Sequence, residues 1–228
     1  YIKAEKLELE WILETHIHAD HLTASHYIKS QLGGKTGIGD KIKNVLEYWI
    51  PIFNTHPDTP KNGSQFDILF ADNTTFKLGT SDVKVMHTPG HTPACLCYLI
   101  EGNVFVGDTI FMPDVGTART DFPGGSAEQM YESVQKIFDL PGNTKIHVCH
   151  DYPPPNRKES CVSTVEEQKQ SNILINKNIS KAQYVEVRNG RDKGKAVPKL
   201  ILPSIQTNMR AGKLPNPESN QKQYIKIP

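Results

Sequence analysis

The chain has 228 residues, a net charge of +1, 37% hydrophobic and 22% charged residues. That length can bury a sizeable core, and that composition is ordinary for a soluble globular protein. Near-neutral charge gives no electrostatic footing for nucleic acid or an anionic membrane as partner, and no apolar run is long enough to span a bilayer. The basic stretch Lys177 to Lys199 is interrupted by Glu186 and Asp192 and reads as a solvated face.

Tyr1 to Leu7 reads as the last turns of an amphipathic helix, and Glu10 to Glu14 as a short strand. His21 to Leu32 has helical spacing (Leu22, Tyr27, Ile28, Leu32) and stops at Gly33-Gly34. A short strand over Lys35 to Gly39 and a helix over Lys41 to Ile50, ended by Pro51, follow. The middle is β-rich: Phe66 to Phe70, Thr74 to Leu78, Val83 to His87, Ala94 to Ile100 and Asn103 to Val106, with turns at Asp72-Asn73 and Glu101-Gly102-Asn103. Ser126 caps a helix to Phe138. Lys145 to Cys149 is a strand that delivers His150, and Thr164 to Leu174 and Lys181 to Val187 are helical. The tail, Pro203 to Pro228, is polar and contains proline, so residues 200–228 read as an extended C-terminal segment of one domain, 1–228. Strands and helices alternate throughout and strand ends carry ligand-type residues, the pattern of a layered α/β protein with its site at a sheet edge.

The four cysteines are Cys95, Cys97, Cys149 and Cys161. None forms a CxxC pair, and Cys95 and Cys97 share one face of a strand, which is poor disulfide geometry. Reduced thiols and a cytoplasmic location are the expectation, with no signal peptide visible.

Five of the nine histidines and two aspartates are ligand candidates, spread over four short clusters. The first is His16-x-His18-x-Asp20-His21, directly after an apolar strand. Residues two apart in an extended loop share a side, so His16 and His18 can reach one metal while Asp20 and His21 turn toward a second position. The second is His87-Thr88-Pro89-Gly90-His91-Thr92, where Pro89-Gly90 turns the chain and His91 emerges from the turn; His87 reads as supporting. The third is Gly107-Asp108-Thr109, whose glycine permits a tight exit presenting the carboxylate. The fourth is Cys149-His150-Asp151-Tyr152 at a strand end, where strand alternation should turn Cys149 away from His150. Imidazoles with one or two carboxylates suit zinc or iron. His26, His56 and His147 lack such context and read as ordinary histidines.

These clusters, in this order, resemble the metallo-β-lactamase superfamily. The resemblance implies an αββα sandwich with the metal between loop ends. One metal position would draw on His16, His18, His91 and Asp108, and a second on Asp20, His21, Asp108 and His150. Thr15 to His21 (THIHADH), His87 to Ala94 (HTPGHTPA), Gly107 to Phe111 (GDTIF), Arg119 to Phe122 (RTDF) and His150 to Tyr152 (HDY) look like the persulfide dioxygenases, nearest to bacterial β-lactamase-like hydrolases of sulfide-detoxification operons. The likeness runs from Glu10 to the tail, where Leu202-Pro203-Ser204 and Asn208 to Gly212 also fit. That family has further N-terminal strands and a helix that this chain lacks, which would leave a sheet edge uncovered.

The resemblance implies one Fe(II) per chain on His16, His91 and Asp108, with His18, Asp20, His21 and His150 around it or holding a second metal. Two imidazoles and a carboxylate are the ligand set of non-haem Fe(II) oxygenases. The implied reaction takes glutathione persulfide, O2 and water to sulfite and glutathione. A substrate with two carboxylates asks for cationic donors, and Arg119 and Arg210 are the candidates, with Tyr152 offering a hydroxyl. The competing expectation is a glyoxalase II-like hydrolase with two zinc ions, since seven complete ligands also suit a two-metal site. A β-lactamase proper, a nuclease and a non-catalytic relative fit less well. A homodimer is left open by the sequence.

Overall fold

The structure, a computed structural model, describes residues 1–228. Two compact units share the chain, one made of Tyr1–Phe70 and Ala196–Pro228, the other of Ala71–Lys195.

The first unit opens on turns, where a helix over Tyr1 to Leu7 was expected. Glu5 N donates to Tyr1 O at 2.9 Å, but Lys6 takes a positive φ of 53° and ends the turn. Strands β1 (Trp11–Leu13), β2 (Lys35–Gly39) and β3 (Ile68–Phe70) form a parallel sheet in that order. Parallel neighbours need crossovers, supplied by α1 (Ser25–Leu32) and α2 (Ile42–Phe53). Gly37 in β2 faces the Phe70 ring, which a Cβ would approach to 2.4 Å. Helix α2 buries Ile42, Val45, Leu46, Ile50 and Phe53, one helical stripe. It runs through Pro51 instead of stopping before it. Pro51 and Glu47, whose carbonyl loses its helical donor, are both exposed, so water can replace the bond. Asn54, left-handed at φ 49°, closes the helix.

Asp67 ties α1 to the sheet of this unit. It pairs with Lys29 and accepts from Thr36 N at 2.7 Å and Thr36 Oγ1 at 2.8 Å. The Lys29 bond, aided by Thr36, lowers its pKa from 3.8 to about 2. A folded-state pKa below the unfolded one stabilises above the unfolded value and is lost as pH falls through the folded value. Between about pH 4 and pH 2, the urea midpoint of Asp67→Asn should therefore fall less steeply than that of the wild type. Parallel acid profiles would show that this pair does not contribute.

The second unit holds β4 (Thr75–Leu78), β5 (Ser81–His87), β6 (Leu96–Ile100), β7 (Asn103–Phe105), α3 (Ala127–Phe138), β8 (Lys145–His147), β9 (Val162–Thr164), α4 (Val165–Ser171) and α5 (Lys181–Asp192). The sheet order is β4-β5-β6-β7-β8-β9. All neighbours are antiparallel except β7 and β8, which α3 joins by a crossover. Glu101 and Gly102 at φ 45° and 72° make the two-residue turn between β6 and β7, matching the twist of the strands. Ser126 caps α3 as expected, accepting from Gln129 N. The buried face of α3 (Met130, Val134, Ile137, Phe138) joins one apolar core with Val104, Val106, Ile110, Ile146 and Tyr184. Strand β9 was not expected; three residues give too little alternation to read.

Helix α5 runs five residues beyond the expected Val187 to Asp192, because its last turn carries a buried ion pair. Arg188 donates to both Asp192 carboxylate oxygens, at 2.6 and 3.1 Å, and to Thr117 O at 3.0 Å. Asp192 in turn accepts from Thr120 N at 2.8 Å and Thr120 Oγ1 at 3.2 Å. Both partners are nearly dry, at 2% and 4% exposure. Asp192→Asn would leave the guanidinium buried without its counter-charge, so the unfolding free energy in urea should drop by about 3–5 kcal/mol. A loss under about 1 kcal/mol would mean the pair is solvated.

The tail returns to the first unit and is not extended throughout: α6 (Ile201–Asn208) occupies its start. Pro203 sits in its first turn, where backbone N–H groups have no helical acceptor to lose. Gln206 then holds the chain end, bonding Lys226 O at 2.9 Å and Lys226 N at 2.9 Å. None of the four cysteines is in a disulfide. Burial pushes the Cys95 thiol up to about 12 and Cys97 to about 11. No helix is long and apolar enough to cross a membrane. The result is the expected mixed α/β class, with two sheets and six helices.

Candidate metal centre

In the first unit, the HxHxDH cluster fills the loop between β1 and α1. The loop explains why α1 starts at Ser25, four residues later than expected. His16 Nδ1 lies 3.0 Å from Thr15 Oγ1. The rings of His16 and His18 have centroids 4.0 Å apart, and those of His18 and His21 4.2 Å. Asp20 Oδ1 is 3.1 Å from His21 Nδ1. His16 and His18 are buried, whereas Asp20 and His21 are partly open. Glu14, buried at the base of the loop, accepts from the Thr23 and Ser25 hydroxyls. Burial raises its pKa. Its Oε2 is 3.8 Å from His18 Nε2, beyond hydrogen-bonding reach.

In the second unit, three strand ends bring His91, Asp108 and His150 together. His91 follows the turn after β5, Asp108 follows β7 at Gly107 (φ 51°), and His150 follows β8. Asp108 Oδ2 lies 3.6 Å from His91 Nε2, and its Oδ1 lies 3.6 Å from His150 Nε2. Those separations are too long for hydrogen bonds. They fit donors sharing an ion at metal–ligand distances of about 2.0–2.2 Å. Asp108 is 7% exposed. His91 Nδ1 donates to Arg119 O at 2.8 Å, which leaves the Nε2 lone pair facing Asp108. The donor chemistry of both halves suits a divalent transition metal.

Cys149 departs from expectation. Its Sγ and the nearest ligand atoms of Asp108 and His150 all lie within 4.8 Å of one another. Strand β8 ends at His147, so strict alternation no longer governs Cys149. It is exposed. Arg119 engages Asp121 with Nε at 2.6 Å and Nη2 at 2.7 Å, and its guanidinium lies 5.0 Å from the Phe122 ring. Tyr152 is 60% exposed, with its ring 5.9 Å from His150 and 5.8 Å from Phe111. Arg210 belongs to the first unit and is buried, with Nη1 donating to Gln206 O at 2.6 Å. His87 supports its turn through Pro93 O at 2.9 Å. His147 bonds Asn103 and stacks on Phe105. His26 and His56 are exposed.

Sequence reasoning missed the residues that brace these loops. Asp192 holds the backbone beside Arg119, whose carbonyl orients His91. Arg157 grips Asp151, the neighbour of His150, at 2.6 and 2.8 Å, and also pairs with Asp114. Asp192 lies 72 residues from Thr120; Arg157 is six residues from Asp151 but within an irregular loop, and no local pattern announces either brace.

Residues 1–150 match the family model described as Metallo-beta-lactamase superfamily. The chain is 52% identical over 230 residues to Glyoxylase B2 of Dictyostelium discoideum, covering 100% of this chain and 79% of that protein. It is 31% identical over 214 residues to mitochondrial persulfide dioxygenase ETHE1 of Bos taurus, covering 92% and 72%. Among solved structures it resembles ETHE1 from Myxococcus xanthus, with a TM-score of 0.73 and 25% identity over 93% of this chain and 81% of that one. The ordered ligand clusters, the α/β fold and these likenesses agree, and the chain belongs to the metallo-β-lactamase superfamily.

Proposed function

We propose that the chain is a persulfide dioxygenase, oxidising glutathione persulfide with O2 and water to sulfite and glutathione. The observation that carries this reading is the run Arg119-Thr120-Asp121-Phe122 and His150-Asp151-Tyr152 beside the ligand clusters, in a chain 31% identical to a persulfide dioxygenase. His16, His91 and Asp108 would hold one Fe(II); His18, Asp20, His21 and His150 would surround it. When bound, the iron would supply the redox chemistry of the oxidation. The chain's own residues orient and bind. Arg119 O fixes the His91 ring. The Arg119 guanidinium, held in place by Asp121, would present its charge to a substrate carboxylate.

A second reading has its own support. Asp108 offers one oxygen to His91 and the other to His150, an arrangement that can bridge two metals. The relative at 52% identity bears a glyoxalase-type name. Under this reading the chain is a two-zinc thioester hydrolase.

Elemental analysis with two assays separates them. One iron per chain, with O2 uptake driven by glutathione persulfide, is the expected outcome. Two zinc ions per chain with lactoylglutathione hydrolysis and no O2 uptake would replace the dioxygenase with the hydrolase. Asp108→Asn should lose most bound metal and most activity while its circular dichroism stays native; full turnover in that variant would overturn the ligand set.

Arg119→Ala should raise KM about tenfold or more, the worth of a charged hydrogen bond, with metal content unchanged. The variant keeps the backbone carbonyl that orients His91. Metal loss at constant KM would instead assign Arg119 to bracing its loop.

A further inference from the structure

The loop carrying His16, His18, Asp20 and His21 spans the gap between β1, ending at Leu13, and α1, starting at Ser25. It belongs to neither a strand nor a helix, so its shape must be set from outside. One side chain does this at three points. Asn208 Nδ2 donates to His18 O at 2.8 Å and to His21 O at 2.8 Å, and its Oδ1 accepts from Thr23 N at 2.9 Å. Both amide hydrogens and the amide oxygen are thus used. The network also fixes the amide's orientation, because a flip would set its oxygen against two carbonyls.

Asn208 is itself held firmly. It is the last residue of α6 and 2% exposed. Gln65 Nε2 donates to Met209 O at 2.6 Å, one residue on and apart from the three contacts of the Asn208 amide. At Gly212, with φ 85°, a Cβ would come within 3.0 Å of His26 N, so glycine lets this turn approach the start of α1.

We infer that Asn208 is a positioning residue for the metal centre: by clamping the backbone at His18 and His21 it sets the directions in which His18, Asp20 and His21 leave the loop. The family model matched by residues 1–150 does not reach it. The C-terminal segment thereby becomes part of the metal-binding apparatus. The inference rests on the loop serving a metal ion, under either reaction proposed above. Groups that orient ligands from behind typically contribute about 10–100-fold in metal affinity.

The experiment measures Co(II) affinity by chelator competition and the d–d absorption of the Co(II) protein, for wild type, Asn208→Ala, Asn208→Asp and Gln65→Ala. Asn208→Ala should bind Co(II) at least about tenfold more weakly, with an altered d–d spectrum. Asn208→Asp should be worse, because a carboxylate oxygen replaces the donor facing two carbonyls; being isosteric, it also covers an alanine variant that does not fold. Gln65→Ala breaks the neighbouring bond to Met209 and controls for general destabilisation. It should lower the melting temperature yet keep Co(II) affinity within about threefold. Unchanged affinity and spectrum in both Asn208 variants would overturn the inference, as would an equal loss in Gln65→Ala. A wild type that binds no Co(II) would overturn the metal reading with it, whereas absent O2 uptake with Co(II) binding intact counts only against the dioxygenase.

Discussion

A carboxylate held 3.6 Å from one imidazole nitrogen on each side, nearly closed to water, is the constraint on which the second unit turns. At that spacing Asp108 cannot use either ring as a hydrogen-bond donor, and a buried carboxylate is costly without positive charge nearby. The spacing suits a cation placed between the donors. The contacts around it keep that spacing. Asp108 leaves β7 through a glycine at positive φ, and His91 is pinned through Nδ1 to Arg119 O. The loop supplying that carbonyl is fastened by Thr120 to Asp192, itself half of a buried ion pair. Each link hands stiffness from α5 toward His91.

Much of this was legible in the sequence because these histidines and aspartates sit where local rules apply. An apolar strand followed by HxHxDH, a Pro-Gly turn before His91 and a glycine before Asp108 are short-range signals, and each residue appears where its signal put it. The β-rich middle and the Ser126 cap were legible for the same reason. The braces were not. Asp192 reaches Thr120 across 72 residues, and Asn208 reaches His18 across 190. No periodicity or spacing encodes a partner that distant.

Other misreadings share a cause. The sequence pattern ends a helix at Pro51, yet that proline lies on an exposed helical face, and Pro203 lies in a first turn, two places where a missing N–H costs little. Cys149 was turned away from His150 by assuming that β8 continued; the strand ends two residues earlier, and the loop carries the thiol to the ligand side. Propensity and alternation are rules for element interiors, and the site is built from element ends.

Arg119 shows what that implies for reading the RTDF motif. Its carbonyl orients His91, while its guanidinium lies in a two-point contact with Asp121. Each partner shifts the other, with the Arg119 pKa raised and that of Asp121 lowered chiefly by their shared hydrogen bonds. The backbone role is indifferent to the side chain, so any residue at 119 could supply it. Thr120 is different, because its N–H and hydroxyl both reach Asp192 and fix the peptide that precedes them. The motif is therefore two devices superposed on neighbouring residues. One is a threonine that sets the carbonyl behind His91, and the other is an arginine–aspartate pair that holds a guanidinium at a fixed place. A substitution that preserves charge but not the threonine would keep the second device and loosen the first.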